Sequence, residues 1–196
     1  MRSKRGFLAF GGLCLLTVLC LQGPARAKGL ASADLTKEEA LKLAFPGCTV
    51  ENRVIYLTEK ERARAKELAG FDVGTSVVQA HLATKEGKPA GIAWFDVHKV
   101  RTKKEVLMLV VDAEQKLRRL EVVIFTEPPE YQPRASWYAQ FLGKKLDDEL
   151  RIGGAIKGVT GATLTAQATT RSVRRVLALH RVGVWDRANK EKRGKE

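Results

Sequence analysis

Six apolar residues in succession, Val106-Leu107-Met108-Leu109-Val110-Val111, constrain this chain most. Side chains of a strand alternate between the two faces of a sheet, so an unbroken apolar run of this length predicts a strand buried on both sides. The flanking sequence extends the same reading. Residues 76–84 place Val78, Ala80 and Leu82 on one face, Glu86-Gly87-Lys88-Pro89 supplies a turn, and residues 90–98 form the next strand. A polar turn at 112–116 precedes residues 117–125, where Leu120, Val122 and Ile124 alternate with Arg119, Glu121 and Val123. Strands joined by hairpins, with helices before and after them, predict an α+β fold: an antiparallel sheet with flanking helices.

The helices announce themselves through their caps. Thr36-Lys37-Glu38-Glu39 and Thr58-Glu59-Lys60-Glu61 both fit the capping box, in which a threonine and a glutamate three residues on satisfy each other's backbone donors. Pro46-Gly47 ends the first helix and Gly70 the second, with a strand over 49–57 between them. After the sheet, Pro128, Pro129 and Pro133 remove donors and exclude regular structure. A short aromatic helix is expected over 136–142. The closing helix, 164–180, carries an apolar stripe of Ala166, Thr169, Thr170, Val173, Val176 and Leu177, with Arg171, Arg174 and Arg175 on its solvated face.

Ahead of that closing helix lies Lys157-Gly158-Val159-Thr160-Gly161-Ala162-Thr163-Leu164-Thr165. Gly161 can take a positive φ, and Ala162 keeps the neighbouring volume small. Thr160, Thr163 and Thr165 bring hydroxyls to a helix start, where unpaired N–H groups and the positive dipole end favour a phosphate. Ordinary N-capping by threonine is the alternative reading of the same residues.

Thr160-Gly161-Ala162-Thr163 resembles the Ser/Thr-Gly-Ala-Thr signature of the FMN-binding domain family, which includes the covalent-flavin subunits of the Rnf and sodium-translocating NADH:quinone reductase complexes. Gln140-Phe141-Leu142-Gly143-Lys144 resembles the Gln-Phe-x-Gly-Lys stretch that precedes the signature in that family. The resemblance covers roughly residues 45–180 and implies an FMN-binding domain-like fold. It also implies FMN as cofactor, joined through its phosphate to Thr163 by a dedicated flavin transferase. Thr160, Gly161 and Ala162 would shape the phosphate pocket, and the helix start at Leu164 and Thr165 would complement the remaining charge. Where the family carries an acidic residue three positions before the motif, this chain has Lys157, a cation able to pair with a phosphate.

The first 27 residues read as a signal peptide: Arg2, Lys4 and Arg5, then an apolar run, then Ala25-Arg26-Ala27 as a cleavage site. A retained anchor through residues 6–25 is the competing reading. Either one exports the domain, expected over 28–185, with 28–33 as a flexible leader and 186–196 as a disordered basic tail. Export argues against nucleic acid as partner. The net charge of +13 leaves an acidic protein or a membrane surface as partners. Cys14 and Cys20 fall in the leader, so Cys48 stands alone without metal-ligand spacing. His81, His98 and His180 are separated in sequence and read as single packed or exposed rings, and no catalytic acid or base stands out. The expected function is an exported FMN electron carrier passing electrons between redox partner proteins. A cofactor-free binding module with a basic surface and a flavin-dependent reductase of a small exported substrate are the alternatives.

Overall fold

The computed structural model describes residues 35–193. The expected signal peptide or anchor and the leader lie outside the described residues. No helix among the described residues is long and apolar enough to cross a membrane. The protein has an α+β fold with a five-stranded antiparallel sheet and flanking helices.

Helix α1 (Lys37–Ala44), strand β1 (Thr49–Tyr56) and helix α2 (Glu59–Ala69) come first. Both capping boxes form as the local sequence demands, with Thr36 paired to Glu39 and Thr58 to Glu61. Gly70 ends α2 in the left-handed conformation at φ 81°, which a side chain would strain. Strands β2 (Val77–Lys85), β3 (Lys88–Lys99), β4 (Lys104–Val111) and β5 (Leu117–Phe125) follow as a meander in the order β1-β2-β3-β4-β5. The β2–β3 turn has positive φ at both Glu86 and Gly87, the geometry that matches strand twist in a two-residue hairpin.

The apolar run in β4 is buried on both sides, as its sequence predicts. Leu107, Leu109 and Val111 pack with α2 and the C-terminal helices, while Met108 and Val110 pack with Ala40 and Phe45 from the α1 region. After β5, the proline-rich loop contains one 3-10 turn (Pro129–Tyr131), so it is less irregular than its prolines suggest. Short helix α3 (Ala135–Tyr138) runs into a second 3-10 turn ending at Phe141. Helix α4 (Thr163–Leu179) then packs across the sheet, with every residue of the expected stripe buried.

Two expectations for the C-terminal part need correction. Arg174 and Arg175 are not a solvated face. Arg174 donates to the carbonyls of Ala69 (2.9 Å), Asp147 (2.8 Å) and Leu150 (3.2 Å), while Arg175 pairs with Asp96 at 2.7 Å. The chain beyond 185 is not disordered through Arg193 either: a π-type kink at His180–Val184 leads into helix α5 (Trp185–Arg193). Val184 and Ala188 are fully buried, and Arg187 donates to the Tyr56 carbonyl and pairs with Glu61. Two small apolar side chains thus dock a helix whose composition is otherwise that of a tail. Ala188→Asp should therefore undock α5 and cost about 2–4 kcal/mol by burying an unpaired carboxylate. A lowered urea midpoint with loss of helical circular dichroism checks this.

Candidate functional site

Thr163 is the first residue of α4, and the residue before it, Ala162 (φ −127°, ψ 35°), has no side chain with which to cap the helix. The turn's first backbone bond inside the helix runs from Ala166 N to Ala162 O at 2.9 Å. The N–H groups of Thr163, Leu164 and Thr165 precede that bond and have no acceptor within the helix. Gly161 sits at φ 84°, and a Cβ built there would meet no atom within 4 Å. Glycine is thus required by backbone conformation, and the face of the turn is open.

The three threonines have different surroundings. Thr160 and Thr163 are exposed. Thr165 is only 1% exposed, and its hydroxyl donates to the Tyr131 carbonyl at 2.6 Å. The expectation that Thr165 offers its hydroxyl to a ligand is therefore corrected: that group ties the proline-rich loop to α4, and only its backbone N–H belongs to the helix start. Ala162 is buried, and Leu164 leaves 49% of its surface exposed.

The second sequence motif lies directly behind the first. The Gln140 side chain accepts from Lys157 N at 2.8 Å, and its amide donates to the Trp137 carbonyl at 3.1 Å. The Trp137 indole donates to the Lys157 carbonyl at 2.6 Å. Both backbone groups of Lys157 are thereby held, which fixes where the chain enters the threonine turn. Trp137 is itself held edge-on to Tyr138 and Phe141 at ring separations of 5.2 and 5.3 Å. Trp137 escaped the sequence reading. Its only signal was an aromatic residue three positions before Gln140, on the same helical face.

Glu127 and Tyr131, in the proline-rich loop after the sheet, serve the scaffold. One Glu127 oxygen accepts from the backbone N–H groups of Thr102 (2.7 Å), Lys103 (2.8 Å) and Arg101 (3.3 Å). These bonds hold its carboxyl below the usual range, that from Thr102 contributing most. Arg101 lies over the Tyr131 ring at 4.6 Å and has no carboxylate partner among the described residues. A cation is thus placed on the loop that Thr165 fastens to α4. In Glu127→Ala, amide hydrogen exchange at Thr102 and Lys103 should accelerate roughly tenfold or more, with exchange in β2 unchanged.

Taken chemically, the arrangement could accept an anion: uncapped amides, a helix dipole and two exposed hydroxyls, on a chain segment entered through Lys157. Among the described residues, no group of three His, Cys, Asp or Glu side chains can hold a metal ion. The fold and site together define an α+β domain with an open, uncapped turn at the start of the longest helix among the described residues. No family model matches the chain, and no curated protein matches it. Its likeness to the FMN-binding domain family rests on the two short motifs.

Proposed function

We propose that this chain is an exported FMN-binding electron carrier, with the flavin held by its phosphate at the start of α4 and joined there to Thr163 through a phosphoester. One observation carries the reading. Thr163 presents an exposed hydroxyl at an uncapped helix start, beside a glycine turn with an open face, on a chain segment fixed by Gln140 and Trp137. The residues fit the group. A phosphate seated there would accept from the N–H groups of Thr163, Leu164 and Thr165, and the exposed Thr160 and Lys157 border it. Bound FMN would supply one- and two-electron transfer.

The chain's own residues position and shield. Gln140 and Trp137 hold the entry segment, Thr165 holds the Tyr131 loop against the helix, and Arg101 packs over the Tyr131 ring of that loop. The role we read for it is a carrier between redox partner proteins, because the bound flavin would bring the electron chemistry and the chain would position it. Expression in a host that supplies flavin and a flavin transferase tests this. The purified protein should be yellow and gain an FMN-sized mass that survives denaturation and maps to the peptide containing Thr163. A colourless product from that host would overturn the reading.

A further inference from the structure

The two faces of the sheet are covered unequally. One packs with α2, α4 and α5, whose apolar residues join the larger core. Among the described residues the other is covered by the α1 region alone, over Ala83, Ala93, Met108 and Val110. Beyond α1 that face is bare, and the sheet splits there. Register between β2 and β3 runs from Lys85–Lys88 only as far as His81–Ala93. After that point residues 77–80 pair with β1 alone, and residues 94–99 pair with β4 alone.

The side chains on this bare end are apolar. Val97, Val106 and Ile124 are direct cross-strand neighbours on β3, β4 and β5. Across the split Tyr56 pairs with Val77, and Val54 lies two residues from Tyr56 on the same face. Val77 and Val97 line one cleft, so the two groups adjoin. Tyr56 is 71% and Val97 56% exposed, Val54, Val77 and Ile124 are exposed as well, and Val106 is half-buried. Their strand neighbours Ile55, Val78 and Leu107 alternate into the larger core, which fixes the side on which the patch lies. A contiguous exposed apolar patch of this kind marks an interaction surface.

Its charges are cationic. Lys99 and Lys104 pair across the β3–β4 hairpin, each two residues from Val97 or Val106 and therefore on the same face. Lys37 holds its ammonium 5.6 Å from the centre of the Phe95 ring. The acids of these strands turn to the other face, where Glu51 pairs with Arg53, Asp96 with Arg175 and Glu105 with His98. On the α1 side Glu39 is taken up by its capping box, Glu121 by Arg119, and Glu38 shares a groove with Lys42. Glu127 is engaged by the amides of the β3–β4 turn.

We infer that this end of the sheet docks on a membrane surface of anionic phospholipid, the aliphatic side chains entering the interface and Lys37, Lys99 and Lys104 reaching the phosphates. A lysine lays its stem along apolar surface and keeps its ammonium at the polar boundary, so valines edged by lysines suit that interface. Anionic headgroups add attraction for each cation held against them. A second copy suits the face less well, because packing two such faces together would juxtapose their lysines in a chain of net charge +13. The chain also arrives from this side: Leu35, just ahead of α1, packs with the cluster on this face, and the apolar run Phe7–Leu21 precedes it in sequence. Helix α4 packs on the opposite face, so the proposal is independent of the threonine turn and stands whether or not the protein binds FMN.

The test is trace acetylation of lysines by sulfosuccinimidyl acetate on the full chain, read by peptide mass spectrometry with and without vesicles. With phosphatidylglycerol vesicles, labelling of Lys99 and Lys104 should fall about fivefold or more, while Lys60 and Lys66 on α2 keep their reactivity. Phosphatidylcholine vesicles should protect the same two lysines about threefold less. The double variant Val97→Ser with Ile124→Ser keeps every charge and alters only exposed side chains, and it should lose most of the protection. Equal protection at Lys60 and Lys66, equal protection by the two lipids, or unchanged protection in the serine variant would each overturn the proposal. So would protection by poly-glutamate matching that by vesicles, which belongs to an acidic protein partner. Low reactivity of Lys99 and Lys104 without vesicles would overturn it too, assigning the face to a second copy if it deepens with protein concentration and to the chain's own leader if it does not.

Discussion

Thr163→Val, produced alongside flavin and its transferase, will carry no covalent FMN, while Thr160→Val and Thr165→Val keep it. The three substitutions are equivalent in shape, because valine replaces the hydroxyl by a methyl group. They differ in what the hydroxyl does. Thr163 is exposed at the first position of α4 and has no hydrogen-bond partner among the described residues, so its oxygen is free to form an ester. Thr165 is buried and its hydroxyl is already engaged by the Tyr131 carbonyl. Removing it should cost about 1 kcal/mol of stability and loosen the loop without touching attachment. Loss of Thr163 should take covalent occupancy from near completion to nothing, and weaken any non-covalent flavin as well by removing one contact. Intact-mass measurement and visible absorbance read both effects. A Thr163→Val protein with its full yellow complement would show that the turn does not hold the cofactor.

What could be read from sequence follows the range of the interaction. The capping boxes at Thr36 and Thr58 are complete within four residues, so the helices they begin were legible. The β5 boundaries, Leu117–Phe125, follow from local alternation. Features that need two distant segments were not. His98 read as a lone ring, although Asp96 lies two residues earlier on the same strand face, where an apolar side chain would be expected. Its second partner, Glu105, comes from β4 through the register of the β3–β4 hairpin. Arg175 finds Asp96 only once α4 docks on the sheet, and α5 exists because Val184 and Ala188 reach the core. The threonine turn was legible as a helix start, but the diversion of the Thr165 hydroxyl to Tyr131 depends on where the proline-rich loop crosses. The split in the sheet left no sequence signal, since residues 77–80 and 94–97 look like ordinary strand.

Stability should be greatest near pH 6.5 and fall on both sides, because His98 is held protonated while burial holds His180 and His81 neutral. His98 bonds through Nδ1 to Asp96 at 2.9 Å and through Nε2 to Glu105 at 2.8 Å. Burial works to lower its pKa, but the hydrogen bonds and charges of these two carboxylates outweigh burial and raise it from 6.5 to about 9. A histidine with a raised folded-state pKa contributes its full stabilisation below 6.5 and loses it as pH rises through 9. Glu105 is fully buried, so deprotonating His98 leaves a carboxylate inside the protein without a cation beside it. The loss should be on the order of 2 kcal/mol, allowing for solvent at the edge of the group. His180 is the opposite case. It packs between Trp94 and Trp185 with neither nitrogen hydrogen-bonded among the described residues, and burial lowers its pKa to about 4 against the pull of Asp112 and Asp186. The unfolded chain therefore takes up a proton near pH 6.5 that the folded protein refuses, and stability falls by about 3 kcal/mol as pH drops from 6.5 towards 4. Asp96, held below its usual range although burial opposes this, adds to the loss at still lower pH. Tyr138 is pushed up by burial and by the Glu105 carboxylate, so it acts only above pH 10. Urea unfolding at pH 4.5, 6.5 and 9.5 reads both limbs, and His180→Phe should shrink the acid limb while leaving the alkaline limb in place. A midpoint that stays level from pH 6.5 to 9.5 would mean that His98 is not the protonated centre of a buried carboxylate pair.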